Sequence, residues 1–111
     1  MSAALSVRPH RAAQSVHVRI AGRDAAIATF APDGRGAVDV SCYVAGGHQP
    51  VGVRDEIMAA VFAAPEVRAC QRLRVTIPLG DVALLRAIQD HCPELQARAA
   101  GSTCLIDATM H

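Results

Sequence analysis

An α+β fold, with a mixed, mainly antiparallel sheet and two helices, follows from three features of this 111-residue chain. Apolar residues alternate with polar ones through its first half, helical spacing enters only after residue 52, and alternating stretches return at the end. The expected element order is β-β-β-α-β-α-β-β.

Residues 1–14 are small, polar and basic, contain Pro9 and show no period, so they read as a flexible N-terminal tail before a single domain over 15–111. Val16, Val18 and Ile20 alternate with His17 and Arg19, the pattern of a half-buried strand. A turn at Gly22-Arg23-Asp24 leads to a second strand, Ala25 to Phe30. The run Pro32-Asp33-Gly34-Arg35-Gly36 is a reversal signal. In the third strand, Ala37 to Val44, Val38, Val40, Cys42 and Val44 share one face, opposite Asp39, Ser41 and Tyr43. The three strands form an antiparallel meander.

A helix is expected over residues 53–64, with Ile57, Val61 and Ala64 on one face, Met58 and Phe62 beside them, and Pro65 as its end. Leu73 to Ile77 alternates as a fourth strand, stopped by Pro78. Asp81 is placed to cap a second helix whose apolar face is Leu84, Leu85, Ile88 and Cys92. A hairpin closes the chain: Leu95 to Ala99, a Gly101-Ser102 turn, then Thr103 to Ala108.

Composition removes several functions. Eleven basic and ten acidic residues leave a net charge of +1, with no basic field to capture nucleic acid. Aromatics are only 3% of the chain, so there is no stacking platform for single strands. No apolar run reaches the ~20 residues that span a bilayer. Cys42, Cys70, Cys92 and Cys104 form no CxxC pair and match no zinc spacing, so free thiols and a cytoplasmic location are expected, without a metal.

The most informative stretch is Val38 to Arg54. It runs from a strand through a glycine-bearing loop into the start of a helix, where unpaired N–H groups and the dipole favour an anion. The element order, with Gln49-Pro50-Val51-Gly52-Val53-Arg54 in that loop, resembles the GNAT acyltransferase superfamily. That family's loop follows Gln or Arg, two residues, Gly, one residue, then Gly or Ala. Gln49 and Gly52 match, whereas Arg54 stands in place of the small residue. The resemblance implies binding of acetyl-CoA or another acyl-CoA, with its pyrophosphate at Gln49, Val51, Gly52, Val53 and Arg54. Arg54 either fills the phosphate's volume or clamps the phosphate with its guanidinium fork.

The family's general acid, a Tyr on the last helix, is absent: Ala87 sits about where it would be. The family's acceptor-side strand and helices have no patterned counterpart in the tail, so the chain looks like a minimal member. The implied reaction is transfer of an acyl group to a small amine, with His48 and Tyr43 as candidate catalytic groups. The plainer reading makes His48 a solvated loop residue and Tyr43 an ordinary half-buried strand residue with a solvent-bound hydroxyl. A covalent acyl-cysteine at Cys42, Cys92 or Cys104 lacks the surroundings that lower a thiol's pKa. Asp39 and the Arg68, Arg72 and Arg74 cluster read as solvated. The alternative function is a non-catalytic interaction or scaffold domain, acting as a homodimer or partner subunit through an uncovered apolar sheet face or the final hairpin.

Overall fold

The computed structural model describes residues 9–46 and 52–110. Its strands are β1 (Pro9–Ala12), β2 (Ser15–Ile20), β3 (Arg23–Pro32), β4 (Ala37–Val44), β5 (Arg72–Pro78), β6 (Leu95–Ala100) and β7 (Thr103–Thr109). They join in one sheet of order β1-β2-β3-β4-β5-β7-β6. Every pairing is antiparallel except β4 with β5, which run parallel. The helices are α1 (Val53–Ala63), α2 (Pro65–Ala69) and α3 (Val82–His91). The α+β class and the meander stand as the sequence implies.

Two elements are additional. Part of the segment read as a tail forms β1, which pairs with β2 from Pro9↔Val18 to Ala12↔Ser15. This short polar strand has no alternation of its own to betray it, because its order comes from its neighbour. Pro65 does end α1, but it also opens α2. Ala64 is extended between the helices (φ −64, ψ 136), and a proline at the first helical position loses no hydrogen bond.

Both crossovers, β4 to β5 and β5 to β6, step the same way across the sheet. Their usual right-handedness therefore puts α1 and α3 over one face. That face supplies the core: Val16, Val18, Phe30, Val38, Val40, Leu73, Val75 and Ile77 pack in one buried cluster with Ile57, Met58, Val61, Leu84 and Ile88. Near their last turns, Phe62 of α1 stacks on His91 of α3 with ring centroids 4.6 Å apart and planes 8° from parallel.

The opposite face mixes polar residues with a few apolar ones, Ile27, Tyr43 and Leu105. It carries the ion pairs Arg19–Asp24 and Arg74–Asp39, at 2.9 and 2.7 Å.

Asp33 holds the β3–β4 connection. Its Oδ1 accepts from the N–H of Arg35 at 2.7 Å and of Ala37 at 3.1 Å. Those bonds, with the nearby Arg74 guanidinium, keep its carboxyl below the ordinary 3.8. A carboxyl made more acidic by folding stabilises the fold above its unfolded value, and that stability is lost as pH falls through the lower folded value. Melting curves taken below pH 3.8 should therefore show a falling stability limb that Asp33→Asn makes shallower. An unchanged limb would remove Asp33 from the acid response.

Candidate functional site

The parallel strands set up the site. β4 and β5 pair from Ala37↔Arg72 to Ser41↔Thr76, and there the ladder stops. β4 continues through Cys42, Tyr43 and Val44 against β3 alone, and β5 continues through Ile77 and Pro78 against β7. Pro78 has no N–H to donate to a further rung. The carboxyl ends of the two strands consequently part, which in open sheets is where ligands enter. Each strand then feeds a helix, so the N-termini of α1 and α3 share this rim.

The two helix starts are built differently. Gly52 caps α1 with φ 97 and ψ −12, a left-handed conformation that glycine tolerates without strain. Its carbonyl accepts from Glu56 N–H at 2.8 Å, but no side chain caps the helix. Among the described residues, the N–H groups of Val53, Arg54 and Asp55 have no hydrogen-bond partner. The start of α3 is closed instead, because Asp81 Oδ1 accepts from Leu84 N–H at 3.0 Å.

Arg54 joins the two starts. Its Nε donates to Asp81 Oδ1 at 2.8 Å and to Oδ2 at 3.0 Å. The Asp81 side chain is 11% exposed and that of Arg54 32%, so the pair is shielded on one side and open to the rim on the other. Both bonds come from Nε. Neither Nη nitrogen has a hydrogen-bond partner among the described residues. Arg54 thus lies across to α3. Its charge is offset by Asp81, and Asp55 and Glu56 in the first turn of α1 add acidic charge. Attraction of an anion falls to the α1 amides and the free end of the guanidinium fork.

The rim is also apolar. Tyr43, Leu79 and Val82, the large hydrophobic residues most open to solvent among those described, are 57%, 50% and 62% exposed and all lie here. A depression of about 160 Å³ beside Leu79 and Val82 is lined by Ile77, Pro78, Gly80, Asp81, Leu85 and Cys104 as well as by those two residues.

Of the residues singled out by sequence, Gly52, Val53 and Arg54 meet at this rim, and Tyr43 stands on the neighbouring strand end. Val53 itself is buried, so only its backbone can serve a ligand. His48, Gln49 and Val51 lie outside the described residues. Ala87 on α3 is 4% exposed and faces the core, and α3 contains no tyrosine. The sequence marks Asp81 as a helix cap but not as the partner of Arg54. The signal for that pairing is indirect: parallel pairing of the two strands brings both helix starts together.

The three buried thiols are inert by surroundings. Cys42, Cys70 and Cys92 are buried and Cys104 is half-buried, all four free. Burial pushes Cys42 up to about 12 and raises Cys70 and Cys92. A thiol reagent such as DTNB should modify Cys104 first and the three buried cysteines only on unfolding. Rapid reaction of Cys42 in the native protein would reopen a covalent role. No group of three His, Cys, Asp or Glu residues suited to a metal occurs among the described residues, and none of their helices is long and apolar enough to cross a membrane.

Neither a protein-family model nor a curated protein sequence matches the chain. Solved structures do. The acetyltransferase of GNAT family from Streptococcus pneumoniae aligns at TM-score 0.62 and 15% identity, over 87% of this chain and 66% of that one. A ribosomal-protein-alanine N-acetyltransferase from Brucella melitensis aligns at TM-score 0.61 and 14% identity, over 86% of this chain and 68% of that one. Diaminobutyrate acetyltransferase from Paenibacillus lautus, solved with its substrate L-2,4-diaminobutyric acid and coenzyme A, aligns at TM-score 0.62 and 12% identity, over 86% and 69%. The chain has a GNAT-like fold and spans about two thirds of the length of these proteins.

Proposed function

We propose that this chain binds acyl-coenzyme A at the parted ends of β4 and β5 and serves acyl transfer to a small amine. The observation that carries the reading is the uncapped start of α1, where three N–H groups and a left-handed Gly52 adjoin the free end of the Arg54 fork. This donor set suits a diphosphate, and the exposed apolar rim suits the aliphatic arm that follows it.

In this reading, the backbone of Gly52 and Val53, the Arg54 guanidinium, and the loop residues Gln49 and Val51 hold the diphosphate. When bound, the coenzyme supplies an acyl thioester. The unpaired edge of β4 beyond Ser41 orients the arm through main-chain hydrogen bonds. Tyr43 and His48 are the groups assigned to proton transfer, Tyr43 because its exposed ring stands at the strand end nearest the parting. The likeness of fold to coenzyme-bound acetyltransferases supports the reading.

A thermal melt with and without coenzyme A tests it. At millimolar ligand and micromolar affinity, stability should rise by about 4 kcal/mol. A melting curve that does not move overturns the assignment.

A further inference from the structure

A different cluster lies on the sheet face that the helices leave open. Ser15 and His17, two apart on β2, point to that same side. Ser15 Oγ is 2.9 Å from His17 Nε2. The other ring nitrogen, Nδ1, is 3.4 Å from Asp24 Oδ1.

Asp24 reaches this position through an irregularity in β3. Val18 pairs with Ala26, but Arg19 pairs with Asp24, so Ala25 is an extra residue in the strand. Simple alternation would turn Asp24 to the buried face with Ala26 and Ala28. The bulge turns it to the His17 side instead, and re-aiming of side chains in this way recurs beside active sites.

The contacts order the imidazole. Nδ1 is shut off from solvent and has no hydrogen-bond partner among the described residues; the Asp24 carboxylate is the charge that faces it. Arg19, donating to Asp24 at 2.9 Å, and then His17 hold that carboxyl below its ordinary range, so it is ionised at neutral pH. A negative group beside Nδ1 favours the tautomer protonated there. Nε2 is then left as the acceptor for the Ser15 hydroxyl.

We propose that Ser15, His17 and Asp24 form a second reactive site, in which Ser15 is a nucleophile toward activated acyl and phosphonyl compounds. Nucleophile, base and carboxylate stand in the order of the sets that activate a serine, with Asp24 facing Nδ1 as a charge at 3.4 Å, and such sets are recognised by geometry and not by chain position. With a fluorophosphonate, a bond forms between Ser15 Oγ and phosphorus while the phosphorus–fluorine bond breaks. The hydroxyl proton passes to His17 Nε2 and departs with the fluoride as hydrogen fluoride. Asp24 stays ionised and acts as a positioning residue. The site uses β2 and β3, apart from the parted strands, and does not depend on coenzyme binding.

The experiment is labelling of the full chain with an alkyl fluorophosphonate, followed by intact-mass and peptide analysis. One adduct on Ser15 is expected, and none there in Ser15→Ala. His17→Gln and Asp24→Asn should each slow labelling at least tenfold at a temperature where melting curves show the variant fully folded. Proton transfer to Nε2 should also give the unmodified chain a solvent deuterium isotope effect, which needs no variant to fold. No adduct, an adduct elsewhere, an absent isotope effect, or Ser15 labelling that is indifferent to His17 each overturns the proposal.

Discussion

Arg54→Glu is expected to eliminate measurable coenzyme A binding at micromolar protein and ligand. The substitution removes a charge-assisted donor from the rim and puts a carboxylate beside the α1 amides that an anion would use. Losing a hydrogen bond to a charged group costs about 1.5–3 kcal/mol, and like-charge repulsion adds to it, so Kd should rise roughly 100-fold or more. The fold should weaken too. The introduced carboxylate would face Asp81 across the contact that Arg54 Nε now makes at 2.8 Å. Because Arg54 is about one third exposed, that loss is set near 1–3 kcal/mol, below the cost for a fully buried pair. Calorimetric titration and a denaturant curve read the two effects separately. Arg54→Gln, which removes the charge without reversing it, should fall between. Wild-type affinity in Arg54→Glu would place the anion elsewhere.

Phe30→Ala is expected to be the most destabilising single truncation in the sheet. Phe30 is 1% exposed, pairs across to Val40, and belongs to the buried cluster between sheet and helices. The guanidinium of Arg11 covers its ring at 4.7 Å from the centroid. Removing the ring should cost about 3–5 kcal/mol through lost transfer energy and the cavity left behind. That is a large share of the ~5–15 kcal/mol that holds a typical domain together. Phe30→Leu, which refills most of the volume, should cost under about 1.5 kcal/mol. Equal losses for the two variants, read from urea midpoints, would show that the site collapses instead of leaving a cavity.

The elements with their own signal were legible. Alternation in Val16 to Ile20, Ala37 to Val44 and Leu73 to Ile77, together with Asp81 as a cap, is local physics and needs no partner to be read. β1 was not legible, since Pro9 to Ala12 lacks any apolar period and is ordered only by its ladder to β2. The same limit applied to the site. The loop motif pointed to Gly52, Val53 and Arg54, but the destination of the Arg54 side chain depended on β4 and β5 being neighbours. Parallel pairing of those strands is a tertiary fact, and it alone brings Arg54 to Asp81. The bulge at Ala25 was equally silent, because two small apolar residues in succession, Ala25 and Ala26, hide the change of face.

The most direct measurement is a pair of calorimetric titrations of the wild-type chain, one with coenzyme A and one with pantetheine. Pantetheine keeps the aliphatic arm and its amides but lacks the diphosphate. If the α1 amides and Arg54 hold that diphosphate, coenzyme A binds and pantetheine binds roughly tenfold or more weakly. Equal affinity for the two, or no heat from either, would contradict a phosphate cradle at the start of α1.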